Sequence, residues 1–241
     1  VQTCALPISF ATFNHIAKSA FGDLYVLSDT LVKATPLIFT GLACALAFRM
    51  KLWNIGAEGQ LLLGAWGASA VVLSGVLPAG TSPFVYVPLM IVFGSLCGAL
   101  WGGIAGWLKA RFNVNEIITS LMLNYIALLW VRYFVFGPWS EASFPLSRQF
   151  PRSAWLPRLF PSLSGVTVHL GLLLGFAAAA ALSVLLLRTR FGFRVRVLGS
   201  NPRAAQHGGL PVRRDTLLVL LLSGGLAGLG GMAEVAGVTI A

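Results

Sequence analysis

Long, uninterrupted apolar runs constrain this 241-residue chain more than any motif it carries. In a bilayer, backbone N–H and C=O groups must be satisfied by protein, which leaves helices of about 20 residues or closed barrels. Barrel strands are short and alternate apolar with polar side chains, and these runs do neither. The expected fold class is all-α, a polytopic transmembrane helical bundle of about six spans. They are placed at Thr30 to Phe48, Ala57 to Leu77, Phe84 to Leu108, Ile117 to Phe136, Val166 to Leu187 and Thr216 to Ala236. Ser9 to Asp29 is mixed in character and reads as the remnant of a periplasmic loop.

Charge sets the orientation. Only 10% of residues are charged, well below the roughly 25% of a water-facing domain, yet the net charge is +10. The basic residues crowd the short segments between spans. One set of loops holds Arg49, Lys51, Lys109 and Arg111, then Arg188, Arg190, Arg194, Arg196, Arg203, Arg213 and Arg214. The opposite set holds Asp23, Asp29, the uncharged turn Pro78 to Pro83, and Arg148, Arg152 and Arg158. Eleven basic residues against three make the first set cytoplasmic by the positive-inside rule. No basic segment interleaved with aromatics exists to grip a strand, so nucleic acid is not an expected partner; the lipid bilayer is.

Catalysis finds little material. There is no HExxH, GxSxG or GxxxxGK[ST] pattern. His15, His169 and His207 are scattered, and Cys44 and Cys97 lie inside apolar runs, where cysteine acts as a small hydrophobe. No metal-ligand spacing occurs, and the chain is read as no enzyme. The opening octapeptide VQTCALPI, Val1 to Ile8, back-translates to a common sequencing-adapter string. Residues 1–8 are therefore expected to be non-native, Cys4 included, with 9–241 a transmembrane domain cut at both ends.

Three polar clusters interrupt the apolar pattern. Asn54, Glu58 and Gln60 lie between the first and second spans, with Gly56 and Gly59 among them. On a helix Asn54 and Glu58 would share a face while Gln60 pointed elsewhere; the glycines equally permit a broken or re-entrant start. The cluster fits a substrate path, or a solvated helix start with Glu58 at the positive end of the helix. Asn113, Glu116, Ser120 and Asn124 trace a stripe at helical spacing. It fits either a hydrophilic path or interhelical hydrogen-bond glue. In the third cluster, Asn201 is an N-cap, Pro202 a first helical residue, and Gly208 and Gly209 a stop. That predicts a short capped helix on the cytoplasmic face. Gly94, Gly98, Gly102 and Gly106 recur every fourth residue, and Gly224 and Gly228 repeat the spacing. Such ladders let helices approach closely, the alternative being a gating hinge.

Four blocks carry a resemblance: NIGAEGQLLLGA (Asn54 to Ala65), NVNEIITSLMLNYIA (Asn113 to Ala127), GSNPRAAQHGGL (Gly199 to Leu210) and SGGLAGLGGMAEVAGV (Ser223 to Val238). In this order they resemble ABC importer permeases of the nucleoside and simple-sugar type, within the wider ribose and branched-chain amino acid permease family. The resemblance implies a multi-pass subunit of the bacterial cytoplasmic membrane. Its partners would be a cytoplasmic ABC ATPase, a sister permease and a periplasmic or lipoprotein solute-binding protein. No cofactor would belong to this chain, ATP being bound by the ATPase. Asn201 to Gly208 would be the coupling helix that rests in the ATPase, with Gly199, Asn201, Pro202, Ala204, Ala205 and Gly208 shaping it. The substrate-path candidates are Asn54, Glu58, Gln60, Glu116, Ser120 and Asn124. Amides and carboxylates without a cationic clamp favour nucleosides, then simple sugars such as ribose, over branched-chain amino acids. A proton- or sodium-coupled secondary transporter, with Glu58 or Glu116 as ion site, is the other reading.

Overall fold

In a computed structural model of the chain, the described residues are 5–75, 78, 81–141, 144–160 and 166–237, with side chains described except at 5–9 and 144–146. Cys4 and the first four residues of the octapeptide, the expected end of the second span at Leu77, and Val238 to Ala241 lie outside them.

Among the described residues nine α-helices follow in order: α1 (Ala5–Phe21), α2 (Leu24–Arg49), α3 (Ala57–Leu73), α4 (Pro83–Phe112), α5 (Glu116–Phe136), α6 (Leu170–Arg188), α7 (Arg190–Ser200), α8 (Pro202–His207) and α9 (Val212–Gly237). Among the described residues α2, α4, α5, α6 and α9 are long and apolar enough to cross a membrane, and α3 is a shorter apolar helix of 17 residues. The six expected spans are thus six helices. The first starts earlier than its hydropathy suggests, because Asp23 caps α2 by accepting the Leu24 N–H at 2.7 Å. The segment before it, expected as loop, is helix α1. Strands β1 (Ser140–Glu141) and β2 (Phe144–Ser147) form a small antiparallel hairpin after α5, a minor addition to an all-α fold.

The bundle is built around α9, whose buried residues run nearly its whole length, from Asp215 to Ala236. Lipid offers apolar side chains no gain from leaving water, so close van der Waals packing has to hold helices together. The glycine ladder supplies that closeness. A Cβ on Gly98 would lie 2.6 Å from the Gly228 Cα, and one on Gly102 2.6 Å from the Leu220 carbonyl oxygen. In return, a Cβ on Gly224 or Gly228 would collide with the carbonyls of Gly98 and Gly94. Gly64 of α3 meets Gly228 in the same way, so three helices share one line of backbone contact. Gly106 is looser, a Cβ there lying 3.0 Å from the Leu220 Cβ. Because α4 continues unbroken through all four glycines, the ladder is a packing surface.

Two apolar clusters close the ends. At the Arg-rich end Leu46, Met50, Leu182, Val195, Leu198, Ala205 and Leu220 come together from α2, α6, α7, α8 and α9. At the other end Tyr86, Met90, Phe150, Ala154, Leu156 and Met232 join α4 and α9 to the loop after the hairpin. There His169 caps α6, its Nδ1 accepting the Gly171 N–H at 3.1 Å, and burial pushes its imidazole below the usual range.

Replacing Gly98 with Leu is expected to destabilise the full-length protein by at least about 1–3 kcal/mol, since an overpacked backbone contact has no side chain to move aside. Gly41→Ala, at a position with no neighbour within 4 Å, should be near neutral. Thermal unfolding of the purified pair in detergent checks both, and equal midpoints would contradict the packing account.

Candidate functional site

The chain leaves α2 at Arg49 and does not re-enter a helix until Ala57. Leu52, Asn54 and Gly56 are nevertheless buried, so this irregular stretch lies against protein. Its exposed backbone polar groups need partners, and each uncompensated one would cost roughly 1–3 kcal/mol. Asn54 meets that need. Its Nδ2 donates to Gln60 Oε1 at 2.9 Å and to Ser223 Oγ at 2.8 Å. Its Oδ1 accepts from the Gly56 N–H at 3.1 Å and from Gln60 Nε2 at 3.0 Å. Both donors and both acceptor positions of the amide are used. The Ser223 hydroxyl in turn donates to the Ala43 carbonyl at 2.7 Å. One side chain thereby joins the entry of α3 to α9 and, through Ser223, to α2.

This arrangement differs from the helical-face reading of the sequence. Asn54 pairs with Gln60 and not with Glu58, because Asn54 precedes the helix and the turn at Ile55–Gly56 folds its amide back over the first turn of α3. Glu58 is exposed in that first turn, where the positive helix end favours a carboxylate.

The second cluster closes over the same turn. Asn124 Oδ1 accepts the Gly59 N–H at 2.9 Å, and its Nδ2 donates to the Ile55 carbonyl at 3.0 Å. One amide thus clamps two backbone groups of the broken entry onto α5. Ser120 lies beside Gly56, where an added Cβ would be 2.9 Å from the serine Cβ. Glu116, also buried, pairs with Lys109 at 2.9 Å and ties the start of α5 to the end of α4. Asn113 does not belong to the stripe. It caps α4 in the left-handed region, φ 55°, and Asn115 caps α5 by accepting the Ile117 N–H at 3.0 Å. Ser120 and Asn124 therefore share a face turned to the entry of α3, while Asn113 belongs to the turn before it.

At the Arg-rich end the capped helix is present. Asn201 Oδ1 accepts the Ala204 N–H at 3.1 Å, Pro202 opens α8, and Gly208 closes it. Gly209 follows with φ 77°. Ala205 is buried in the end cluster, whereas Arg203, Ala204, Gln206 and His207 are exposed. Gly199 lets α7 lie against the end of α2, a Cβ there colliding with the Arg49 carbonyl. Among the described residues no three His, Cys, Asp or Glu side chains gather as a metal site.

A family model described as branched-chain amino acid transport system / permease component matches residues 26–241. The chain belongs to that permease family. It is 40% identical to a glucose ABC transporter permease protein of Haloferax volcanii, over 95% of this chain and 64% of that protein. It is 37% identical to a guanosine ABC transporter permease protein of Bacillus subtilis, over 92% of this chain and 63% of that protein. A nucleoside ABC transporter permease protein of Lactococcus lactis is 30% identical over 91% of this chain and 62% of its own length. The chain thus spans a little under two thirds of the length of these three relatives. No solved structure matches it. As a member of this permease family with several apolar helices, it is a multi-pass protein of the cytoplasmic membrane.

Sequence reasoning about this permease missed α7 altogether. Its signal is Thr189, which accepts the Gly192 N–H at 3.2 Å, followed by Gly192, Val195, Leu198 and Gly199 on one buried face. It also missed Asp215, whose side chain is 0% exposed and which pairs with Arg194. Glu234, buried at one oxygen that has no hydrogen-bond partner, was passed over because it sits inside an apolar run.

Asn54→Ala leaves Gln60, Ser223 and the Gly56 N–H without their partner. It is expected to cost about 1–3 kcal/mol or more, as a buried polar network does when one member is removed. Ser223→Ala, which frees one donor of Asn54 and takes one donor from the Ala43 carbonyl, should cost less. Unfolding of the full-length variants in detergent gives the order, and a reversed order would contradict the network.

Proposed function

We propose that the full-length protein is the membrane subunit of an ATP-driven importer and that, paired with a sister permease, it forms the translocation path for nucleosides. The observation that carries this reading is α8. It is a six-residue helix capped at both ends, anchored by one buried alanine, with its remaining surface presented at the Arg-rich end of the bundle. A helix this short has little stability of its own, so its fixed presentation favours a docking element. An ABC ATPase is the partner that a permease of this family needs there, and a solute-binding protein would deliver cargo at the opposite end. This chain would bind no ATP itself.

The path candidates divide in this reading. Asn54 and Gln60 are fully engaged with one another and support the path from behind. Glu58, exposed, and Asn124, partly exposed on α5, are the groups left nearest to a passing solute, with Ser120 and Glu116 buried behind them. Amides and carboxylates suit the N–H and hydroxyl groups of a nucleoside. Similarity to guanosine and nucleoside permeases supports this cargo, while the 40% identical glucose permease supports a simple sugar as the second reading.

Labelled guanosine uptake by the assembled full-length complex is expected to be competed by unlabelled nucleosides and not by glucose or leucine. Competition by glucose but by no nucleoside overturns the cargo assignment. For the docking helix, Ala204→Glu on its exposed face should abolish uptake while leaving the protein in the membrane. Ala205→Glu should instead lower abundance, because it buries a charge in the end cluster. Undiminished uptake by the Ala204 variant would remove the docking role.

A further inference from the structure

Asp215 lies in the first turn of α9 and has no exposed surface, yet it is a carboxylate. Its sole ion-pair partner among the described residues is Arg194 on α7, bound through both nitrogens of its fork: Nε to Oδ2 at 2.8 Å and Nη2 to Oδ1 at 3.0 Å. The pair is buried on the Asp215 side alone, the Arg194 side chain being 29% exposed, and desolvation of the carboxylate offsets much of the attraction. What it does add is geometry. Two parallel hydrogen bonds from a planar guanidinium fix both the separation and the rotation of the groups they join. An apolar contact at the same place would let α7 slide or roll against α9.

The elements on either side make that rigidity useful. On the outer side of the pair, α7 runs through Asn201 straight into α8, and Val195 and Leu198 share one apolar cluster with Ala205. On the inner side, α9 is the central helix, and two turns beyond Asp215 its Ser223 takes the hydrogen bond from Asn54 that holds the broken entry of α3. A continuous series of close contacts therefore leads from α8 through Arg194 and Asp215 to the polar entry.

We propose that the Arg194–Asp215 pair is the strut that converts displacement of α8 into displacement of α9, so that these two residues position the helix entry and set the coupling between ATP hydrolysis and transport. The proposal rests on the importer reading and assigns the means of coupling within it. Arg194 and Asp215 are positioning residues: neither touches ATP or solute.

The test uses the full-length protein reconstituted with its ATPase, sister permease and solute-binding protein. ATP hydrolysis and nucleoside uptake are measured on the same vesicles. For Asp215→Asn and Arg194→Gln the number of ATP hydrolysed per nucleoside carried is expected to rise by about fivefold or more, the range of ordinary coupling free energies. The exchanged pair, Arg194→Asp with Asp215→Arg, should recover part of the loss. Hydrolysis and uptake falling together in proportion to the protein present would overturn the proposal, as would a wild-type ratio in both variants. Arg194→Lys, which keeps the charge but gives up the fork, serves where the others fail to accumulate; it should also raise the ratio. If none of them accumulates, the pair serves assembly alone and the proposal is wrong.

A second measurement does not depend on the cargo. Spin labels at the exposed positions Gln206 on α8 and Leu222 on α9 should report one narrow distance with and without ATP in the wild type, and a broadened one in Asp215→Asn. A wild-type distance that changes on ATP binding contradicts the strut even in a complex that carries sugars. A complex that takes up no nucleoside, yet keeps the narrow distance, sinks the functional reading and leaves the strut standing.

Discussion

A segment that is neither helix nor strand can be buried only if its backbone groups are paired within the protein. In this chain the stretch between α2 and α3 meets that condition through two asparagines. Asn54 satisfies it from within, with its four hydrogen-bonding positions turned to Gly56, Gln60 and Ser223. Asn124 satisfies it from α5, gripping Ile55 and Gly59. Neither amide can be replaced by an apolar side chain without orphaning several partners at once. The entry of the short third helix and its hold on α5 depend on this pairing.

The glycine contacts answer a different requirement. They bring α3 and α4 against α9 at backbone distance, so that α9 has almost no freedom to rotate between them. A central helix held in this way moves as a unit or not at all. Force applied at its start, where Asp215 meets Arg194, would reach Ser223 with little lost to side-chain rearrangement, since packed cores respond in discrete steps rather than by gradual deformation. In the importer reading the Arg-rich end is both the face that the positive-inside rule turns to the cytoplasm and the face at which an ATPase would act.

Much of the fold was legible because membrane spans are written in hydropathy alone. The six apolar runs correspond to α2, α3, α4, α5, α6 and α9, and Asn201, Pro202 and Gly208 marked α8 through capping chemistry that acts over a few residues. Helix α7 was hidden by its charge: Arg190, Arg194 and Arg196 reproduce a basic loop, and only Val195, Leu198 and the two glycines betray a buried face. The pairing of Asn54 with Gln60 was out of reach for a similar reason. Helical spacing assigns faces only where the backbone is helical, and Asn54 precedes the helix. Asp215 looked like an ordinary end-of-loop carboxylate because its partner lies 21 residues away, a separation set by tertiary packing.

The energy source of transport separates an ATP-driven importer from a gradient-driven one. In vesicles holding the full-length protein with its ATPase, sister permease and solute-binding protein, ATP should drive accumulation of labelled nucleoside. That accumulation should persist after proton and sodium gradients are collapsed. Accumulation without ATP that stops on collapse of a gradient would contradict the importer reading, and would return Glu58 or Glu116 to the role of ion site.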